Sequence, residues 1–349
     1  MGWMNYLYVL NMRAFVISKP LESEVKDIEL RELKEDEVLV KVEACGVCGT
    51  DIHMYKGEFP APYPVIPGHE FSGVVEDVGE SVEEVKKGDR VAVNPNIACW
   101  KCYYCKKGLP HFCRNWNAIG IHLPGAYAEY TIVPSSNIYK IPGDLLFEEA
   151  AFAEPVACIL HGHDLLNISA GDTVAVFGLG PIGLLHLQIS RLRGASTVIG
   201  VDIVDKKLEL GKKLGADYTF NPLREDVPAE IKKITKRGVD VAIESSGSIK
   251  AFNDALRSVD YHGKILVFGV APETATTSIK PFEIYRKEIR LVGSFTNPFT
   301  TGRALNLLAS KNINVKDIIS HMISLEEVNE YYQKIINKEE DLVKVIVKP

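Results

Sequence analysis

Six residues, Gly178-Leu179-Gly180-Pro181-Ile182-Gly183, constrain this chain more tightly than any other feature. They fit Gly-x-Gly-x-x-Gly, a weak pattern on its own. Here it follows a short apolar run, Thr173–Phe177, and opens a stretch of helical character, Pro181–Arg193. A second apolar run, Thr197–Val201, leads into Asp202, about 20 residues beyond the loop, as a dinucleotide site requires. The first glycine permits a tight turn, the second lets pyrophosphate approach the backbone, and the third lets helix pack on strand. Unpaired amides at the helix N-terminus then hold the phosphates. Asp202 is expected to take the adenosine ribose hydroxyls and to repel a 2′-phosphate, and Ile203 supplies no counter-charge, which favours NAD over NADP. The rival reading is a helix start whose glycines serve packing alone.

Around this loop the chain changes character. Before about residue 155, valine-rich segments such as Glu37–Val42, Phe71–Val78, Arg90–Val93 and Gly125–Val133 end in Gly, Pro or Asp and do not alternate with helices. This predicts a mainly antiparallel β domain. Afterwards apolar strands alternate with helical stretches: Lys206–Leu214 follows the second strand, Val239–Glu244 precedes Ile249–Val259, and Lys264–Phe268 and Glu288–Val292 continue the series. That predicts βαβ units and a parallel sheet covered on both faces. Thr301–Ser310 reads as a helix, Ser324 to Glu327 as a capping box before a helix to Ile336, and Leu342–Val347 as a last strand. The 349 residues suit two domains. With 46 acidic and 40 basic residues and no strong basic cluster, nucleic acid is not an expected partner. No apolar run approaches the roughly 20 residues that span a bilayer. Met1–Asn11 lacks a basic leader and cleavage site, and reads as an extension before a domain starting near Met12.

Six of the seven cysteines lie before residue 114. Clustered thiols without a signal peptide point to a reducing, cytoplasmic setting and to metal rather than disulfides. Cys99, Cys102, Cys105 and Cys113 suit tetrahedral zinc, and four thiolates leave no open position, so this site is expected to be structural. An iron–sulfur cluster is the competitor, but the fourth cysteine comes late and precedes Arg114 rather than proline. Cys48, His69 and Glu154 offer one sulfur, one nitrogen and one oxygen, the three-ligand pattern of catalytic zinc. Each has a blander reading: Cys45-x-x-Cys48 as a redox pair, His69 as a satisfied polar residue, Glu154 as a solvated carboxylate.

Taken together, these motifs resemble the medium-chain dehydrogenase/reductase superfamily, in particular its zinc-containing alcohol and polyol dehydrogenases, with the sorbitol and threonine dehydrogenase branches nearest. The similarity runs from about Met12 to the C-terminus. It implies an α/β architecture: a GroES-like, mainly antiparallel catalytic domain (residues 1–155 and 294–349, with a structural zinc lobe at about 95–115) and a Rossmann NAD domain (156–293), a doubly wound parallel sheet. It implies Cys48, His69 and Glu154 as catalytic zinc ligands, with Glu70 a ligand or near-ligand. Asp51 would orient the zinc histidine, Thr50 accept the substrate proton, and His53 end the relay to solvent. Lys207 would contact the adenosine ribose, and Val270, Phe295 and Thr296 lie near the nicotinamide. The implied activity is NAD-linked oxidation of a polyol or secondary alcohol by a homodimer or homotetramer. The alternatives are L-threonine 3-dehydrogenase and, more remotely, a non-catalytic zinc- and nucleotide-binding protein. Glu154 replaces the cysteine of liver-type alcohol dehydrogenases, and Tyr55–Tyr63 match no single specificity.

Overall fold

A computed structural model describes residues 11–339 and 342–349. They form two compact units. One comprises residues 11–154 with His321–Glu339 and Val345–Pro349; the other comprises residues 155–320 and 342–344.

The first unit is built on antiparallel strands. Glu37–Gly46 pairs with Glu70–Val78 on one side and with Tyr130–Pro134 and Lys344–Val347 on the other. Val38, Val40 and Ala44 are fully buried, so alternate residues of the central strand face the core. A hairpin of Asn11–Lys19 and Glu22–Glu29 joins this unit and was not legible in sequence, because the second strand, ESEVKDIE, is dominated by charge. Asn11 already belongs to a strand, so the expected extension loses its last residue. Met1–Leu10 lie outside the described residues. The expected strand Gly125–Val133 is shortened to Tyr130–Pro134. Its front end is diverted: the amides of Gly125, Ala126 and Tyr127 donate to the carbonyls of Ile66, Gly68 and Pro67.

In the second unit the strands run Tyr218–Phe220, Thr197–Val201, Thr173–Phe177, Val239–Glu244, Val259–Val267 and Arg290–Gly293 across a six-stranded sheet, and every pairing is parallel. The order reverses between Thr173–Phe177 and Val239–Glu244, the switch point where a doubly wound sheet opens a crevice at its carboxyl edge. Val174, Val176, Ile199, Val241, Ile243 and Leu266 are all fully buried, as strands covered on both faces require. The antiparallel and Rossmann architectures expected from the sequence are both present.

Residues 294–320, expected with the catalytic domain, cluster instead with the nucleotide unit. Thr300 Oγ1 donates to the Ala157 carbonyl (2.8 Å), and the Gln188 amide brackets Asn314 by donating to its carbonyl (3.1 Å) and accepting from its N–H (2.6 Å).

Candidate active site

Cys48 stands at the N-cap of helix Gly49–Lys56, a helix absent from the sequence reading. Asp51 starts it: one carboxylate oxygen accepts the Cys48 N–H at 2.9 Å, satisfying an amide the helix cannot. Gly57 ends it in the left-handed region, φ 74°. His69 and Glu70 arrive from the start of strand Glu70–Val78, both buried. The preceding Gly68 has φ 96°, and a side chain there would press on the Tyr127 ring and on Cys45 Sγ. Gly120 and Gly125 lie against the Gly68 backbone so closely that a Cβ on either would strike its carbonyl. Backbone packing therefore fixes His69.

The ligand atoms of Cys48, His69 and Glu70 all lie within 4.8 Å of one another, and a metal-competent trio results. Glu154, half-buried in the first turn of helix Ala153–Leu166, is not one of the three. Asp51 is fully buried and turns its second oxygen to His69 Nδ1 at 3.4 Å. Among the described residues neither of those two atoms has a hydrogen-bond partner. Burial pushes the His69 imidazole down, but the charges of Asp51 and Cys48 outweigh it and hold it well above the ordinary histidine range. The negative surroundings that draw a proton to His69 would equally draw a divalent cation, which would displace that proton and take the imidazole, sulfur and carboxylate as ligands. The donor set fits zinc.

Tyr127, which the sequence reading missed, donates its hydroxyl to Asp51 at 3.1 Å from a fully buried ring. Nothing in Gly125-Ala126-Tyr127 signals that role locally. Thr50 Oγ1 is 3.7 Å from Cys48 Sγ. His53 sits one turn further out, 42% exposed, with Nδ1 2.8 Å from Glu58. Met54, Ala118 and Ile121 form an apolar cluster with Phe59, Ala61 and Trp116 beside this helix.

The sulfurs of Cys99, Cys102, Cys105 and Cys113 also lie within 4.8 Å of one another. Cys113 Sγ accepts the N–H of Cys99 (3.2 Å) and of Asn115 (3.3 Å). Backbone amides of Cys105 and Arg114 pull the Cys102 thiol down to about 6, while burial pushes Cys105 up to about 12. Trp100, Tyr103 and Phe112 in this lobe are exposed, so it has little core of its own to hold it together. Four converging sulfurs fit a structural zinc.

In the nucleotide unit the glycines separate by role. Gly178 turns at φ 95°, and a Cβ on Gly183 would run into the Gly178 carbonyl. A Cβ on Gly180 would meet nothing within 4 Å, so no packing among the described residues requires that glycine. Helix Pro181–Leu192 begins there with Gly180 as N-cap and no side-chain cap, leaving its first amides available to an anion. Asp202 closes the far side: its two oxygens accept the N–H of Leu179 (2.7 Å) and Val204 (2.9 Å) and keep lone pairs for hydroxyl donors. Lys207 lies half-buried in helix Asp205–Lys213. Ile203, Val270 and Phe295 are 53%, 72% and 46% exposed, each just past the carboxyl end of a strand. Thr296, at φ 53°, holds a buried Oγ1 that has no partner among the described residues. Apolar side chains left open along the switch-point edge, with an uncapped helix between them, fit a dinucleotide.

Residues 34–143 match the alcohol dehydrogenase GroES-like domain and residues 181–310 the zinc-binding dehydrogenase domain. D-arabinitol dehydrogenase 1 of Uromyces fabae is 34% identical over 342 residues, 97% of each chain. L-threonine 3-dehydrogenase of Pyrococcus horikoshii is 36% identical over 324 residues, 89% of this chain and 91% of that one. A zinc-binding dehydrogenase from Sinorhizobium meliloti 1021, crystallised with NADP, superposes with a TM-score of 0.93 at 40% identity, covering 97% of this chain and 100% of that one. Fold, site and relatives define an oxidoreductase of CH–OH groups that works with zinc and a nicotinamide cofactor. The chain belongs to the zinc-containing medium-chain alcohol and polyol dehydrogenases.

Proposed function

We propose that this protein oxidises a polyol or small secondary alcohol to the ketone, with NAD as hydride acceptor and one catalytic and one structural zinc per chain. The observation that carries this reading is the convergence of Cys48, His69 and Glu70 beside the buried Asp51 Oδ1 and His69 Nδ1, which have no other hydrogen-bond partner among the described residues. Zinc held there would act as a Lewis acid and lower the pKa of the substrate hydroxyl. Cys48, His69 and Glu70 hold the ion, and Glu154 is the further carboxylate within the same unit. Asp51, itself held by Tyr127, orients His69. Thr50 takes the hydroxyl proton, which its distance from Cys48 supports. His53 releases it outward, beside Glu58 at the surface. The Phe59–Trp116 cluster offers an apolar wall to the substrate's carbon skeleton.

Gly178, Gly180, Pro181, Ile182 and Gly183 take the pyrophosphate; Asp202 and Lys207 take the adenosine ribose; Val270, Phe295 and Thr296 take the nicotinamide end. The Asp202 carboxylate supports NAD over NADP, although a relative was crystallised with NADP. Asp202→Ala is expected to raise the KM for NAD roughly 10–100-fold, the loss of hydrogen bonds to a charged group, and to narrow the preference against NADP. Unchanged cofactor preference would defeat the ribose assignment.

Helix Pro281–Lys287 buries none of its residues and leaves Phe282 and Tyr285 exposed, and Leu291 is exposed on Arg290–Gly293, the end strand of the sheet. This supports a homo-oligomer joined at that edge, since an uncovered apolar edge strand seeks a partner strand. Among the described residues no helix is long and apolar enough to cross a membrane.

A panel of stereoisomeric polyols, secondary alcohols and L-threonine, followed by NADH absorbance with and without a chelator, tests the reading. Chelator-sensitive NADH formation with a polyol or secondary alcohol is expected. Faster turnover of L-threonine would favour the second reading, which the 36% identity to a threonine dehydrogenase supports. Nicotinamide reduction with none of them would sink both.

A further inference from the structure

Glu244 ends the central strand Val239–Glu244 with its side chain buried, 2% exposed. Among the described residues no cation pairs with it. Oε1 accepts the N–H of Ser246 (2.8 Å) and its hydroxyl (2.5 Å), and Oε2 accepts the N–H of Gly247 (3.3 Å). The Ser246 hydroxyl in turn accepts the N–H of Ser248 at 3.1 Å. Only a group that accepts at both oxygens can gather these donors; a neutral amide presents a donor on one side. Burial pushes this carboxyl above its usual range, and the surrounding donors offset part of that. A charge kept at such cost calls for a task.

The turn it gathers touches two other segments. Gly247 has φ 71°, and a Cβ there would collide with the Val270 carbonyl. A Cβ on Gly269 would collide with the Gly247 nitrogen and lie 2.8 Å from Glu244 Oε2. The Glu244 carbonyl accepts the amides of Phe268 and Gly269, both at 2.9 Å. On the other side, Ser245 Oγ donates to the Gly178 carbonyl at 2.7 Å, and a Cβ on Gly178 would sit 2.7 Å from Ser246 Cβ. One carboxylate thus shapes the turn that lies between the glycine loop and the exposed Val270.

We propose that Glu244 is a positioning residue for the dinucleotide: it fixes the turn at Ser246 and Gly247 that sets the Val270 segment at a constant offset from the glycine loop. The proposal rests on the dinucleotide reading above. Glu244 is buried, with its oxygens turned to Ser246 and Gly247, so it acts through Val270, and its effect falls on the nicotinamide end and spares the pyrophosphate.

The experiment compares NADH with ADP-ribose, which lacks the nicotinamide, by titrating each into the full chain and following tryptophan fluorescence. In Glu244→Gln the Kd for NADH is expected to rise about tenfold, the scale of one lost charge-assisted hydrogen bond, while that for ADP-ribose stays within about threefold. Equal weakening of both, or no weakening with only a fall in Tm, would overturn the proposal and leave Glu244 a structural residue. If Glu244→Gln does not fold, Ser246→Ala removes one hydroxyl donor and should shift the NADH-to-ADP-ribose ratio the same way. An unchanged ratio there overturns the proposal as well. Failure of the unsubstituted protein to bind either molecule would instead remove the dinucleotide reading beneath it.

Discussion

His69 and the pair His163–His186 are buried alike and serve opposite ends. His69, 5% exposed, faces the Asp51 carboxylate and the Cys48 sulfur, and the negative charge on that side holds it well above the usual histidine range. His163 and His186, 1% and 0% exposed, face each other at 3.0 Å, Nε2 to Nδ1, with the Phe268 ring edge-on to His186. Burial pushes His163 down to about 3, assisted by Arg193, and His186 well below its ordinary value. Burial alone therefore does not make a histidine a ligand. The charge of its neighbours decides whether it waits for a cation or stays a neutral piece of core.

The sharpest way to break this comparison is at the metal side. Cys48→Ala is expected to abolish turnover while circular dichroism and NADH titration remain those of the unsubstituted protein; residual chelator-sensitive activity would deny Cys48 its place beside His69. Asp51→Asn is expected to weaken zinc about 10–100-fold in competition with a chelator, the scale for removing the partner that orients a metal histidine. Unaltered zinc affinity would mean that the 3.4 Å approach is incidental.

Acid probes the other side. The folded pKa values of His163 and His186 are depressed, so the folded state stays unprotonated where the unfolded state, near 6.5, takes up protons. Their contribution is present above about pH 6.5 and is lost as pH falls from there, for His163 toward about 3. Denaturant unfolding should show stability declining by up to about 1.4 kcal/mol per pH unit for each histidine in that window. The smallest expected effect is on catalysis: His186→Leu should leave turnover at neutral pH unchanged while flattening the acid decline. A large fall in turnover would place the pair in the reaction after all.

Legibility followed sequence distance. The loop Gly178–Gly183 and the quartet Cys99–Cys113 were readable because each site is carried by a short stretch whose spacing encodes its geometry. Thr173–Phe177, Thr197–Val201 and Val239–Glu244 were readable because strands buried on both faces are continuously apolar. Helix Gly49–Lys56 was not, since its start depends on Asp51 capping Cys48 and its eight residues carry no amphipathic stripe. The strand Glu22–Glu29 was hidden by its charges, which face solvent on one side of a hairpin.

Composition and spacing alone settled that this chain carries a glycine turn between strand and helix, a set of clustered thiols and two kinds of sheet, because those features are encoded within one or two turns of backbone. Tertiary structure alone decided which distant side chains meet. It set Tyr127 on Asp51, closed Cys48, His69 and Glu70 into one group, and left a Cβ on Gly180 facing open space. The physical reason is that close backbone packing, such as Gly68 against Gly120 and Gly125, fixes positions that no local pattern records.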